Sequence, residues 1–538
     1  MLRLFGGPAF PSPDRGRRFL ERVLYTSAVF RSLVLVAALS ATLLTPTAAH
    51  SAPAPPAVSS SKSDDRPLPK LHATHGKKAA IRDRRGAQVL LRGVNVNQLG
   101  EYFQANPSLP PTVPLTERDF RDIAKLGFNS VRLIVSWSKL EPTPGAYDTA
   151  YVAQIKQAVR WAASYDLYVV IDMHQDAYGI AVDTPQDVTC PAGSAPNNGW
   201  DGAPAWATIT DGASTCRRGE RELAPAVTHA WQHFWDDTNG IQTHLVDTWG
   251  RLARDFAKSR AVAGFDLLNE PGFGLEQDAN GTTDLGAFYG RAISAIRAGE
   301  KAGGGFHHIV FWEPSVLWSA FGSVPVPSPG FTKDKNLVFA PHIYGESLSA
   351  NSIAGGFASA QKVARQHGVT VWGGEWGFWP DRPVDASDQI ERYAAAEDAA
   401  QYGGAWWDWK QACGDPHVVN QPGGQPAPVS PSLNRYTCPD QVMSPPDPAF
   451  ADVLGRPIPR SVPGTITRLT SDGRKGKLVL AGTHAGDQGR CALEVFVPKR
   501  FARKPVQVTG IDHLRRTREL GNLVLHGCVS EKFTLRLG

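Results

Sequence analysis

The sequence predicts a (β/α)8 barrel followed by a small C-terminal β-sandwich domain. From about His72 to residue 410, short apolar runs rich in Val, Ile and Phe alternate with amphipathic stretches of helical period. Eight such runs can be counted, the number that closes a barrel. Beyond residue 456 the apolar runs succeed one another without helical patterns between them. A third observation is chemical. Ionisable side chains gather where the predicted strands end, and a barrel presents its reactive groups there.

The chain begins with a targeting pattern. Arg17, Arg18, Arg22 and Arg31 precede the apolar run S-L-V-L-V-A-A-L-S-A-T-L-L, and small residues follow through Ala52. Residues 1–49 read as a secretory signal peptide. The alternatives are an uncleaved anchor, a start nearer residue 31, and a twin-arginine signal hinted at by R-R-F-L. The run is short for a membrane span. Residues 50–71, rich in Ala, Pro and Ser, read as a flexible linker.

Residues 72–455 read as the barrel. Its predicted strands cover 89–95, 130–135, 167–173, 263–269, 308–313, 337–342, 370–375 and 404–409. Helical stretches lie between them, including 116–126, where Thr116 and Asp119 form a capping-box variant. An open doubly wound sheet would also alternate in this way, but no Gly-rich phosphate loop follows the first strand. The long segment 179–225, with Trp200 and Trp206, reads as an ordered rim or lid. Residues 456–538 read as the sandwich, with strands at 477–482, 492–497, 505–509, 522–527 and 533–537.

Composition excludes some classes. Net charge is +5 over 538 residues, and no dense Lys/Arg stripe marks a nucleic-acid binder. The six cysteines form no C-x-x-C and fall into three sequence-local pairs, Cys190 with Cys216, Cys413 with Cys438 and Cys491 with Cys528. Outside the cytosol these are candidate disulfides, with free buried thiols as the alternative. Asn280-Gly-Thr282 fits a glycosylation sequon and is read as a solvated turn.

Two carboxylates stand at the ends of predicted strands four and seven, Glu270 and Glu375. These ends face across a barrel mouth. Cleaving an acetal between sugars needs one group to protonate the departing oxygen and another to attack or stabilise the anomeric carbon. Carboxyls serve both roles when their environments separate their pKa values. The neighbours suit such chemistry. Asn269 can bond a sugar hydroxyl, Arg132 and Tyr344 can orient Glu375, His174 and His342 can serve hydroxyls or carboxylates, and Trp407 can stack under a sugar ring. Each also has a structural reading: Glu270 as a helix cap, Arg132 as a buried ion pair, either histidine as a core group. One of Trp406 and Trp407 must be core, because adjacent strand residues face opposite sides. Glu313 is read as support for the mouth.

The stretches R-G-V-N-V-N (92–97), D-M-H-Q-D-A-Y (172–178), F-D-L-L-N-E-P (265–271), P-H-I-Y (341–344), G-E-W-G (374–377) and W-W-D-W-K-Q (406–411) resemble glycoside hydrolase family 5. D-M-H-Q-D is similar to its endoglycoceramidase branch. The resemblance covers about residues 80–455. It implies Glu270 as acid/base and Glu375 as nucleophile, with Arg132, His174, Asn269, His342, Tyr344 and Trp407 around the reactive sugar and Asp176 on its hydroxyls. It implies a retaining β-glycosidase acting on glycolipid or oligosaccharide, with transient lipid contact; the N-terminal pattern places it outside the cell or at its surface, and with no H-E-x-x-H, G-x-S-x-G or P-loop no cofactor is expected. A monomer is expected. Trp376 stands where that family often has Phe or Tyr, and W-D-W-K-Q departs from its better-known members. The competing readings are an endo-β-glucanase or mannanase using the same glutamates, and a non-catalytic carbohydrate-binding protein.

Overall fold

The computed structural model describes residues 68–102, 108–275, 283–378, 385–416, 432–438, 440 and 442–538. The signal peptide, nearly all of the linker and the Asn280 turn lie outside the described residues.

Strands buried on both faces read as continuous apolar runs, and the eight predicted runs form such strands. They are β1 (Arg92–Val96), β2 (Ser130–Ser136), β3 (Tyr168–His174), β4 (Val262–Asp266), β5 (Ile309–Trp312), β6 (Leu337–Phe339), β7 (Thr370–Trp376) and β8 (Gly403–Trp406). Every one is buried along its length. They close in chain order into a parallel barrel, with β8 pairing β1 through Gly404↔Arg92 and Trp406↔Val94.

Helix α1 (Glu117–Leu126) starts as expected, with the Asp119 carboxylate accepting from both Thr116 N and Oγ1 at 2.8 Å. The same carboxylate accepts from Lys410 Nζ at 2.8 Å and Trp409 Nε1 at 3.1 Å. Lys410, at the predicted end of strand eight, thus anchors α1. Helix α2 (Ala386–Ala400) follows β7.

After the barrel and a two-stranded ribbon, Asn434–Thr437 with Val442–Pro446, come six more strands: β9 (Ile458–Val462), β10 (Thr465–Asp472), β11 (Lys477–Thr483), β12 (Leu493–Val497), β13 (Val506–Glu519) and β14 (Asn522–Leu537). Strands β9–β14 form an antiparallel sheet joined by three short N-terminal strands, Leu71–Ala73, Ile81–Asp83 and Gln88–Val89. The Gln88–Val89 strand pairs β9 through Ser461↔Val89. The accessory layer is therefore built from both sides of the barrel in sequence, not from residues 456–538 alone. Leu71 and Ile81 pack with Val170, Phe311, Val338 and Trp372 in one apolar cluster.

Several boundaries differ from expectation. The first predicted strand divides, its start joining the accessory sheet and its end becoming β1. The fourth stops at Asp266, so Leu267–Glu270 is a loop; the eighth stops at Trp406. The last two predicted strands are one 16-residue strand, β14. Among the described residues no helix is long and apolar enough to cross a membrane. All three sequence-local cysteine pairs are disulfides.

Candidate active site

Arg132 lies in the barrel interior on β2, fully buried, and organises the floor of the mouth. Its Nε donates to Asp266 Oδ2 at 2.9 Å, and its Nη1 to Glu375 Oε1 at 2.7 Å and Asn95 Oδ1 at 3.2 Å. Its Nη2 donates to Glu313 Oε1 at 2.7 Å and Asn269 Oδ1 at 2.9 Å, and lies 2.9 Å from Asp172 Oδ1. Burial alone would depress the guanidinium, but Asp172, Asp266, Glu313 and Glu375 outweigh it and hold its pKa well above the ordinary value. The planar fork suits this role, because it reaches several carboxylates in one plane.

Glu375, near the end of β7, is held on both oxygens. Arg132 takes Oε1, and the Tyr344 hydroxyl donates to Oε2 at 2.8 Å. Burial raises the Glu375 carboxyl, with His342 and Arg132 opposing. Glu270 approaches from the loop after β4. Its Oε1 accepts from His342 Nδ1 at 2.7 Å and from the Ser319 hydroxyl. His342 Nδ1 is also 3.4 Å from Glu375 Oε2, and its Nε2 is 3.3 Å from Glu313 Oε2. Burial would lower the His342 pKa, but Glu313, Glu375 and Glu270 raise it well above normal. Atoms of Glu270, His342 and Glu375 lie within 4.8 Å of one another.

The Glu270 backbone has φ +38°, a left-handed conformation costly for a residue with a Cβ. Three bonds fix it. Gln175 Nε2 donates to the Asn269 carbonyl at 2.8 Å and the Glu270 carbonyl at 2.7 Å, and Glu270 N donates to Glu313 Oε2 at 2.9 Å. Glu313 thus supports the mouth, as read from sequence.

His174, at the end of β3, has Nδ1 2.6 Å from Asp172 Oδ2 and Nε2 3.5 Å from Asp176 Oδ2. Its ring stacks on Trp407 at 5.6 Å and 16° between planes. Burial would lower its pKa, but Asp201 and Asp172 raise it well above normal. His174, Asp176 and Asp201 have ligand spacing for a cation. In a second set, Asp172, Asp266 and Glu313, the central cation is Arg132 itself.

All nine predicted site residues line this mouth or its floor. Several contributors were not legible. Asp266 sits inside F-D-L-L-N-E-P and was read only as part of a strand. Ser319 comes from a short helix, Leu317–Phe321. Arg221 reaches in from the long loop after β3, its guanidinium 3.4 Å above the Trp200 ring and 3.4 Å from Asp176 Oδ1. Glu222 beside it accepts from Ala177 N at 3.1 Å.

Comparison with known proteins places this geometry. Residues 83–413 match the cellulase family, glycosyl hydrolase family 5. An endogalactoceramidase crystal structure superposes with TM-score 0.80 at 41% identity, over 88% of this chain and all of that one. An endo-glycoceramidase II from Rhodococcus sp., solved as a lactosyl-enzyme intermediate, superposes with TM-score 0.67 at 26% identity, over 85% and 99%. Endoglycoceramidase I of Rhodococcus hoagii (strain 103S) is 30% identical over 273 residues, 48% of this chain and 50% of that protein. The chain thus spans about half the length of the curated relatives it matches. From its closed barrel, its paired mouth glutamates and the match over residues 83–413, the chain belongs to glycosyl hydrolase family 5.

Proposed function

We propose that the protein is a secreted retaining β-glycosidase that cleaves the bond between sugar and ceramide in glycosphingolipids and releases the glycan intact. The observation that carries the reading is the approach of the Glu270 and Glu375 oxygens to within 4.8 Å. Retaining enzymes hold their carboxyls about 5–5.5 Å apart, and inverting ones about 6.5–9.5 Å, leaving room for a water.

The environments suit two roles. Glu375, fixed by Arg132 and Tyr344, attacks the anomeric carbon. As that bond forms, the bond to the lipid oxygen breaks, and Glu270 gives its proton to that oxygen. Water then attacks the glycosyl ester, Glu270 takes its proton, and Glu375 leaves as a carboxylate. His342 and Ser319 aim the Glu270 carboxyl, while Asn269, His174 and Asp176 offer polar groups to the sugar and Trp407 a stacking face. No cofactor enters the reaction.

Relatives support the substrate class: similar proteins are named endoglycoceramidases, and one was captured as a lactosyl-enzyme intermediate. Secretion is supported by the N-terminal pattern and the three disulfides. Product analysis tests the reading. The purified protein is incubated with glucosylceramide, a longer glycosphingolipid and a soluble β-glucan, and products are resolved by mass spectrometry. Intact glycan with free ceramide is expected. Fragmented glucan beside untouched lipids would move the activity to polysaccharide.

A further inference from the structure

The described chain is divided in charge. Residues 68–455 hold 32 Lys and Arg against 41 Asp and Glu, whereas residues 456–538 hold 16 against 6. The fold gathers part of this excess at one place, where three turns meet. Arg500, in the segment between β12 and β13, donates to the Gly473 carbonyl at 3.1 Å in the turn between β10 and β11. The Phe501 ring packs on Gly476 of that turn, and the Lys499 stem reaches Gly521 at the tip of the β13–β14 hairpin. Lys504 and Lys477 converge on Gly538.

The resulting rim carries Lys477, Lys499, Arg503, Lys504 and Arg518. None of these five forms an ion pair among the described residues, and all but Lys504 are exposed. Beside them Leu520 is exposed at the hairpin tip. Clustered like charges repel, so the arrangement is relieved by an anionic partner. The rim also has a defined direction. Arg474 of the same turn pairs with Glu391 and bonds Ser387, both in the first two turns of α2. The helix after a barrel strand begins at the mouth end, and α2 follows the strand bearing Glu375. At the other end of the rim, Asn522 at the hairpin tip donates to the Lys125 carbonyl at 2.8 Å in the last turn of α1, so the rim runs along the flank of the barrel from the mouth half of α2 to the end away from the mouth.

We propose that this basic rim docks the protein on a lipid layer with anionic headgroups. Cations near such a surface are attracted within roughly a Debye length, about 8–10 Å at physiological salt, and the exposed leucine suits an interface better than a dissolved polyanion. The docking does not rest on the glycolipid reading above.

The test is flotation of the full-length protein with phosphatidylcholine vesicles, with and without phosphatidylglycerol. Binding is expected only with phosphatidylglycerol, and it should fall at least about tenfold in molar salt, where the Debye length is about 3 Å. The triple variant Lys499→Glu, Arg503→Glu, Lys504→Glu should lose at least about tenfold in binding while keeping its Tm and its hydrolysis of detergent-dispersed glycolipid. If that variant unfolds, Lys499→Gln with Arg503→Gln is judged by the same loss. Equal binding to neutral vesicles, unchanged binding by the variants, or binding to soluble polyphosphate but to no vesicle would overturn the proposal. A protein that floats as expected yet cleaves no glycolipid would support the docking and defeat the substrate reading.

Discussion

The side-chain amide of Gln175 donates to the carbonyl of Glu270 at 2.7 Å, pinning a residue whose φ is +38°. Left-handed backbone at a residue with a Cβ costs on the order of 1–3 kcal/mol and persists only where neighbours impose it. Gln175 does so without being placed to touch the reacting atoms. Gln175→Leu should release that backbone and let the Glu270 carboxyl drift from His342. The expected result is a fall in kcat of roughly 10–100-fold, following from displacement of a catalytic group by about 1 Å, with a smaller change in KM. Steady-state kinetics beside a Tm measurement separate positioning from unfolding: a lower Tm with unaltered kcat would count against it.

The two glutamates should fail differently. Glu270→Gln removes a proton donor, so glycosides with poor leaving groups should react at least about 10²-fold more slowly, while activated aryl glycosides should be largely spared in the first step. Glu375→Gln removes the attacking oxygen and should abolish turnover of both. Comparing nitrophenyl glycoside with native glycolipid on each variant checks this, and ordinary activity in both would refute the assignment.

Arg132 contacts Asp172, Asp266, Glu313 and Glu375 at once on the floor of the mouth, with His174 and His342 at the edge of the group. Arg132→Met would leave those carboxylates buried without it. Removing one partner of a buried pair typically costs about 3–5 kcal/mol, and four acids share this one guanidinium. The expected outcome is a protein that is unfolded or much less stable, read as loss of the cooperative thermal transition. Arg132→Lys keeps the charge but cannot span Asp266, Glu313 and Glu375 at once, so it should fold with reduced Tm and kcat.

The barrel was legible because strands buried on both faces cannot hide in sequence, and polar residues closing such runs are conspicuous. That logic points to Glu270 and Glu375, and then to Arg132, His174, Asp176, Asn269, His342, Tyr344 and Trp407; the role of Asp176 is implied by resemblance alone. It could not find Ser319, which lies in a five-residue helix with no polar pattern aimed at the mouth. It gave Asp266 its strand but no role, because a buried acid within a strand looks like any strand residue until its partner is known. The accessory sheet was legible only in its C-terminal half. The pairing of Val89 with Ser461 spans most of the chain, and two- or three-residue strands carry no period to read.

Glu222 gives the mouth a pH dependence. Burial pushes its carboxyl up to about 7; Arg221 opposes this, and Asp176 and Glu270 add to it. A carboxyl raised from an ordinary value near 4.3 holds its proton more tightly in the folded state. Its stabilising contribution is therefore complete below the unfolded value and is lost as pH rises through about 7. Between pH 5 and pH 8 the protein should lose about 2–3 kcal/mol relative to Glu222→Gln, as follows from about 1.36 kcal/mol per pKa unit. Thermal unfolding of both proteins at the two pH values checks the sign: a parallel pH response would remove Glu222 as the cause.

Two disulfides of similar span should have separable effects. Cys190–Cys216 encloses 26 residues and Cys491–Cys528 encloses 37, so loop closure assigns each about 3–4 kcal/mol. Their positions differ. The first ties the loop that brings Trp200 beneath Arg221, and Arg221 reaches Asp176 beside His174. The second joins the start of β12 to β14 in the accessory sheet. Replacing Cys190 and Cys216 by Ser should raise KM about tenfold or more, a loss of roughly 1.4 kcal/mol in binding, by loosening the rim of the sugar site. Replacing Cys491 and Cys528 should lower Tm comparably and leave kcat and KM on a soluble aryl glycoside unchanged. Kinetics and calorimetry on both double variants decide this, because equal kinetic losses would mean that the rim loop holds the substrate no more than the distant sheet does.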